Sequence, residues 1–343
     1  MHSPTAPSVT ILIDTYNYAR FVGRAIESAL GQDYAGPRPE ILVVDDGSTD
    51  DTAAVVRRYG GSVRYIAKEN GGQASALNLG LREAEGDIVC LLDGDDYFYP
   101  GKVQLVADAF RRRPEVGLVY NEFDIVDGAG SSLGKTFPEP TWTGCRLPLS
   151  RVSGQLRSLI LLGHPWTCIT SAMSVRRSVV AGLQVPEDVF PHSVDLFLGL
   201  VLPFLAEVEI VEAAATAYVY HGENVGLYRS SAANRAIYQR QMEYIRRYVE
   251  QRFGVRFLDY GGRGIYGGGR DRRAGSRRFS EYIRECRQIA AADVEPAIRR
   301  RSQAKLAASL LPDALYAALR ELRATYRAWQ SRQFRCRIAE ARR

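Results

Sequence analysis

Cysteine is sparse in this 343-residue chain: Cys90, Cys145, Cys168, Cys286 and Cys336 are scattered without one CxxC pair. An odd, unclustered set excludes a disulfide framework and a thiolate zinc site, and fits a reducing cytoplasm. The four histidines (His2, His164, His192 and His221) have no elbow-like partner motif, so a Ser-His-Asp or Cys-His nucleophile has no support. No run reaches the roughly 18 uninterrupted apolar residues of a membrane span. The opening MHSPTAPSV has no charged segment leading into an apolar one, so export is not expected. GxxxxGK[ST] is absent, the first strand runs into DTYNYARF where a glycine fingerprint would stand, and ENGGQASALNLG lacks GxGxxG spacing. P-loop and Rossmann dinucleotide sites are therefore disfavoured.

What the chain does have is apolar content, 46% of residues, enough for one large domain plus an appendage. The net charge of +6 conceals an asymmetry: residues 231–343 carry 26 Lys+Arg against 11 Asp+Glu, a balance of +15, while residues 1–230 carry 19 against 28, a balance of −9. The expected division is a domain over 1–230 and a basic, mainly helical region over 231–343, with a mobile Gly/Arg-rich loop at 260–275.

Within the first 120 residues, VTILI (9–13), EILVV (40–44), SVRYI (62–66), DIVCLL (87–92) and VGLVY (116–120) read as short buried strands. Apolar residues at Val22, Ala25, Ile26, Ala29 and Leu30 have helical spacing, and Ser48 with Asp51 suggests a capping box opening a helix through Tyr59. Strand and helix alternating in this way demand an α/β fold, a mostly parallel sheet with helices on both faces. In such sheets ligands lie beyond the carboxyl ends of the strands. Asp14, the pair Asp45 and Asp46, and the cluster Asp93, Asp95 and Asp96 all follow strands directly, so they gather on one rim. Helix capping and turn initiation would account for some of these acids but poorly for three clusters on strand ends.

Asp93-Gly94-Asp95 is a plausible hard-cation site, suited to Mg²⁺ or Mn²⁺. An EF-hand loop does not fit, because the twelfth position from Asp93 is Gln104 and from Asp45 is Val56, where a bidentate Glu is required. A cation held by one or two side chains completes its shell with water and phosphate oxygens, so the rim suits a diphosphate.

Taken in order, VTILIDTYNYARFVGRAIESALGQ, EILVVDDGSTDDT, ENGGQASALNLGLREAEGDIVCLLDGDD, HSVDLFLGL and YVYHGEN resemble the successive blocks of family-2 glycosyltransferases of the GT-A fold, over residues 8–228. The resemblance implies an inverting, metal-dependent transfer of a sugar from a nucleotide-diphosphate donor, a UDP-sugar, to an acceptor hydroxyl on a saccharide or lipid-linked molecule. It implies that Thr15, Tyr16, Asn17, Asp46, Gln73 and Asp93 contact the donor, with Tyr16 packing on the base and Asp46 hydrogen-bonding it. Asp93, Asp95 and His221 would surround the metal, and Asp195 would be the catalytic base. Two departures stand out. Asp14 occupies a position where the family commonly has Pro, and Val194 replaces the acid that many members carry before the base. Asp14 and Asp188 are the fallback candidates for the base.

Two rival readings are a sugar-1-phosphate nucleotidylyltransferase, which lacks its usual Gly/Arg-rich loop here, and a non-catalytic carbohydrate-assembly protein. The segment 302–329 has a leucine face and arginines elsewhere, suited either to an anionic membrane surface or to packing on the protein itself or on a homodimer partner. The expected location is cytoplasmic, with peripheral contact to the inner face of the membrane in the first case. The arginine-rich loop lacks a reading module, so no nucleic-acid partner is expected.

Overall fold

The computed structural model describes residues 6–137, 157, 160–161, 169–221, 224, 232–257, 286–292 and 296–308. The Gly/Arg-rich loop at 260–275 and the part of the leucine-faced segment beyond 308 lie outside the described residues. Strands β1 (Val9–Thr15), β2 (Glu40–Asp45), β3 (Arg64–Ala67) and β4 (Ile88–Asp93) alternate with helices α1 (Val22–Leu30), α2 (Thr52–Arg57) and α3 (Gln73–Glu83). The chain continues through β5 (Tyr97–Phe98), α4 (Lys102–Arg112), β6 (Val116–Asp127), β7 (Ser132–Phe137) and β8 (Met173–Arg176). It then enters α5 (Val194–Leu205), β9 (Glu207–Tyr220), α6 (Ala232–Phe253) and α7 (Pro296–Ala308).

All nine strands join one sheet in the order β3-β2-β1-β4-β8-β6-β9-β5, with β7 on β6. The expected parallel pairing holds from β3 to β4. Beyond β4 the sheet is mixed: β8 is antiparallel to both β4 and β6, whereas β6 and β9 are parallel. Parallel neighbours need a crossover, and the regular alternation of strand and helix that supplies one stops after β6.

Period-2 alternation divides the core. Leu12, Leu42, Val44, Val89 and Leu91 face α3 and α5, while Ile11, Ile13, Ile41, Val43, Cys90 and Leu92 face α1 and α4. Helix α3 lies close on β1 because residue 80 is Gly: a Cβ there would meet Leu12 Cδ1 at 2.3 Å. Helix α5, VDLFLGLVLPFL, is apolar all round and is accordingly buried on nearly every side. Residues past 230 join the same layer, with Tyr248 against Phe197 and Phe253 stacked on Phe204.

The capping box expected at Ser48 does not form. Helix α2 starts at Thr52, whose backbone N–H and hydroxyl both donate to Asp50 Oδ1, at 3.0 and 2.5 Å. Ser48 is already committed, since its hydroxyl accepts the Asn17 N–H at 2.8 Å.

Candidate active site

Parallel pairing brings the carboxyl ends of β1, β2 and β4 level. Asp14 stands opposite Asp93 and Thr15 opposite Asp45. The acids that the sequence puts after strands are thus on one rim. Burial then sorts them by partner.

Asp46 is buried, and its carboxylate is held by the Lys68 ammonium (2.7 Å) and the backbone N–H groups of Gly71 (3.0 Å) and Gly72 (2.7 Å). Asp45 accepts from the Tyr65 hydroxyl at 2.6 Å and the Ser48 N–H at 2.8 Å. Asp96 accepts from the Ser171 hydroxyl at 2.6 Å and the Val219 N–H at 2.9 Å, one bond to each oxygen. Under it, the fully buried Lys102 donates to the Ser171 carbonyl at 2.6 Å and to the Thr216 hydroxyl at 3.1 Å. Those two bonds offset part of the cost of burying the ammonium.

Asp93, Asp95 and Asp96 each offer an oxygen within 4.8 Å of the others. Both Asp96 oxygens accept bonds, whereas Gln73 reaches only Oδ1 of Asp93 and His221 only Oδ2 of Asp95. Burial, and then the charges of Asp14, Asp96, Asp95 and Asp195, raise the Asp93 carboxyl well above the usual range. Burial and the Asp95 charge do the same to Asp96, and burial raises Asp14 against the hydrogen bond from Gln73. Like charges packed this closely repel, and a divalent cation relieves that repulsion. An all-oxygen donor set fits Mg²⁺ or Mn²⁺.

The other sequence-selected residues divide. Tyr16 is 44% exposed beyond β1, its ring available to a flat ligand. Thr15 Oγ1 is buried and without a hydrogen-bond partner. Gln73, the first residue of α3, donates Nε2 to Asp93 Oδ1 at 3.0 Å. Asn17 (φ 55°) instead ties two loops together, its Oδ1 accepting the Thr49 and Asp50 N–H groups at 2.8 and 3.4 Å. His221 Nε2 lies 2.9 Å from Asp95 Oδ2, and its ring stacks on Phe21 at 4.6 Å.

Asp195 lies in the first turn of α5, where the helix dipole favours a carboxylate. Burial prevails, and its carboxyl is pushed up to about 6 against the bond from the Leu196 N–H. The residue two before it, Ser193, is held at φ 92°, a left-handed conformation costly for a side-chain-bearing residue. Asp188, a fallback candidate for the base, is exposed and bonded to Arg240 at 3.2 Å.

Sequence reasoning missed Lys68, Ser171 and Lys102. Lys68 left a faint signal, a cation just beyond β3; the other two left none.

Residues 10–183 match glycosyl transferase family 2. The chain belongs to that family. An uncharacterised glycosyltransferase of Nostoc sp. is 32% identical over 271 residues, covering 74% of this chain and 78% of the relative. The chondroitin synthase of Escherichia coli is 31% identical over 154 residues, covering 44% of this chain but 22% of its own length. The structure of S. aureus TarS 1–349 in complex with UDP shares the fold, with a TM-score of 0.52 at 18% identity over 92% of this chain and 91% of that one. The chain is thus a glycosyltransferase, and the nucleotidylyltransferase alternative falls. No helix among the described residues is long and apolar enough to cross a membrane.

Proposed function

We propose that this glycosyltransferase moves a sugar from a UDP-sugar to an acceptor hydroxyl on a saccharide or lipid-linked molecule, with inversion at the anomeric carbon. The observation that carries the reading is geometric: Asp93, Asp95 and Asp96 offer oxygens within 4.8 Å of one another at the end of β4, with Asp14 in register opposite Asp93. Such a rim suits a cation and a diphosphate, and Asp195, whose carboxyl burial pushes up to about 6, would supply the base that the transfer needs.

Asp93 and Asp95 would hold Mg²⁺ or Mn²⁺, which, when bound, supplies charge stabilisation to the departing nucleoside diphosphate. Exposed Tyr16 offers a ring face to the uracil, and Thr15 offers a hydroxyl. Asp46, held in place by Lys68, Gly71 and Gly72, would hydrogen-bond the base. Ionised Asp195 takes the proton from the acceptor hydroxyl as that oxygen attacks the anomeric carbon. The donor C–O bond breaks toward the diphosphate, and no covalent enzyme intermediate forms. The UDP-bound TarS and the chondroitin synthase support a nucleotide-sugar donor and a saccharide acceptor as the classes to test first. A cytoplasmic location fits such a donor.

Purified protein with Mn²⁺ and a panel of UDP-sugars provides the test. Turnover that stops in EDTA, with inverted configuration in the product by proton NMR, is the expected outcome. Retained configuration would overturn the single-displacement reading, and equal turnover in EDTA would remove the metal from it.

A further inference from the structure

Residues 185–193, which lead into α5, form neither helix nor strand, yet two helices hold them. From α3, the buried Asn78 takes both backbone groups of Val185: its Oδ1 accepts the N–H and its Nδ2 donates to the carbonyl, each at 2.9 Å. The Gln73 N–H, at the start of the same helix, donates to the Pro191 carbonyl at 2.7 Å. From the other side, side chains within little more than one turn of α6 reach three consecutive residues. Arg240 bonds Asp188 at 3.2 Å, Gln241 Nε2 donates to the Val189 carbonyl at 3.1 Å, and the Tyr244 ring meets Phe190 edge-on at 5.9 Å. Helix α6 starts at Ala232, past the residues 10–183 that match the family.

The three α6 contacts are unequal. Arg240 and Asp188 are both exposed, where an ion pair contributes little. Gln241 is 2% exposed, and its bond to Val189 lies in the interior, where a lost partner costs more. Just downstream, Ser193 is held at φ 92°, which a residue with a side chain keeps only where its surroundings over-determine it. Asp195 follows in the first turn of α5. Since α6 also packs Tyr248 on Phe197 of α5, it contacts the chain on both sides of the turn that aims Asp195.

We propose that Gln241 is a positioning residue for Asp195: by fixing Val189 it holds the segment that sets the direction of the first turn of α5. The basic C-terminal region then contributes to the reaction through this one buried amide. The inference rests on the reading of Asp195 as the base.

The test uses the full chain with Gln241→Met, which removes the donor and keeps the length of the side chain. Because a misplacement of about 1 Å can cost about 10²-fold, kcat with the most active UDP-sugar of the panel is expected to fall by about 10-fold or more. UDP affinity, read by calorimetry, should stay within about twofold. Hydrogen–deuterium exchange over residues 192–198 should rise, with that of β1 and β4 unchanged. A kcat within about twofold of wild type, a loss of UDP affinity as large as the loss of kcat, or unchanged exchange over 192–198 overturns the proposal. In an Asp195→Asn background, Gln241→Met should lower kcat no further, and an equal loss there overturns it as well. If Gln241→Met does not fold, Tyr244→Ala, at a half-buried site, carries the same comparisons through Phe190. Full turnover by Asp195→Asn overturns the base reading and this inference together, whereas an impaired Asp195→Asn beside a fully active Gln241→Met overturns this inference alone.

Discussion

Asp14 and Asp93 stand in register across the β1–β4 pair, at the carboxyl end of both strands. A buried acid and a half-buried one in such a pair resist both being charged, which makes the rim costly when no cation is present. Asp93→Asn should therefore abolish turnover while raising the melting temperature in EDTA by about 2 °C or more. Wild type should gain stability from Mn²⁺ with UDP, by about 2.7 kcal/mol at a hundredfold excess over Kd, and the variant should not. Differential scanning fluorimetry reads both quantities. A variant less stable than wild type in EDTA would mean that Asp93 supports the fold instead of straining it.

Asp195 makes a prediction about pH. Only the ionised carboxylate can accept a proton, so turnover should climb through about pH 6 and level off above it. Asp195→Asn should lower kcat by at least about 10²-fold with little change in donor affinity, and should lose that limb of the profile.

The stability effect of the same residue runs the other way. Its folded-state pKa is raised from 3.8 to about 6, so folding favours the neutral acid, and its contribution to stability falls as pH rises through that window. Asp195→Asn should then melt above wild type at pH 8 and level with it near pH 4. Equal melting temperatures at both values would show that Asp195 is as well solvated folded as unfolded.

Gly72 joins two parts of the site. Its N–H bonds Asp46, its φ is +89°, and a Cβ there would stand 2.7 Å from the carbonyl oxygen of Pro191, four residues before Asp195. The next residue, Gln73, donates its N–H to that same oxygen at 2.7 Å. Gly72→Ala should cost about 1–3 kcal/mol in urea denaturation and weaken both UDP binding and kcat. Gly61→Ala, at a position with open space and no positive φ, should be close to neutral. Equal effects at the two positions would remove the special role of Gly72.

Some of this was readable from residues alone. Runs such as VTILI and DIVCLL announce buried strands by their β-branched density, and an acid directly after each announces a rim. Local pattern carries that information because a strand and its end are contiguous in sequence. Partners are not contiguous. Ser171 and Val219 lie 75 and 123 residues from the Asp96 they satisfy, and no short-range pattern marks a serine for a carboxylate that distant. DTYNYARF contains two tyrosines at the same two-residue interval as a strand face, yet Tyr16 points out to water and Tyr18 turns in against Phe21 and His221. Ser48 failed as a cap for a similar reason: a neighbouring loop claimed its hydroxyl, and sequence alone gave no sign of that claim. The change of strand direction at β8 was equally hidden, because direction depends on where a long connection returns.

The distance between Asp96 and Val219 also bears on the order in which the chain can mature. During synthesis, the four parallel strands and their helices emerge long before β9, so the acidic cluster is made while Ser171, Val219 and His221 do not yet exist. A nascent intermediate holding β1 to β4 has sheet and apolar faces, and Gln73 to bond Asp93, but Asp95 and Asp96 still lack His221, Ser171 and Val219, and closing the 123-residue loop to Val219 is the late step. Early fragments should therefore gain compactness before they gain affinity for nucleotide, and the ribosome-bound chain becomes competent only once β9 has been released and docked beside β6.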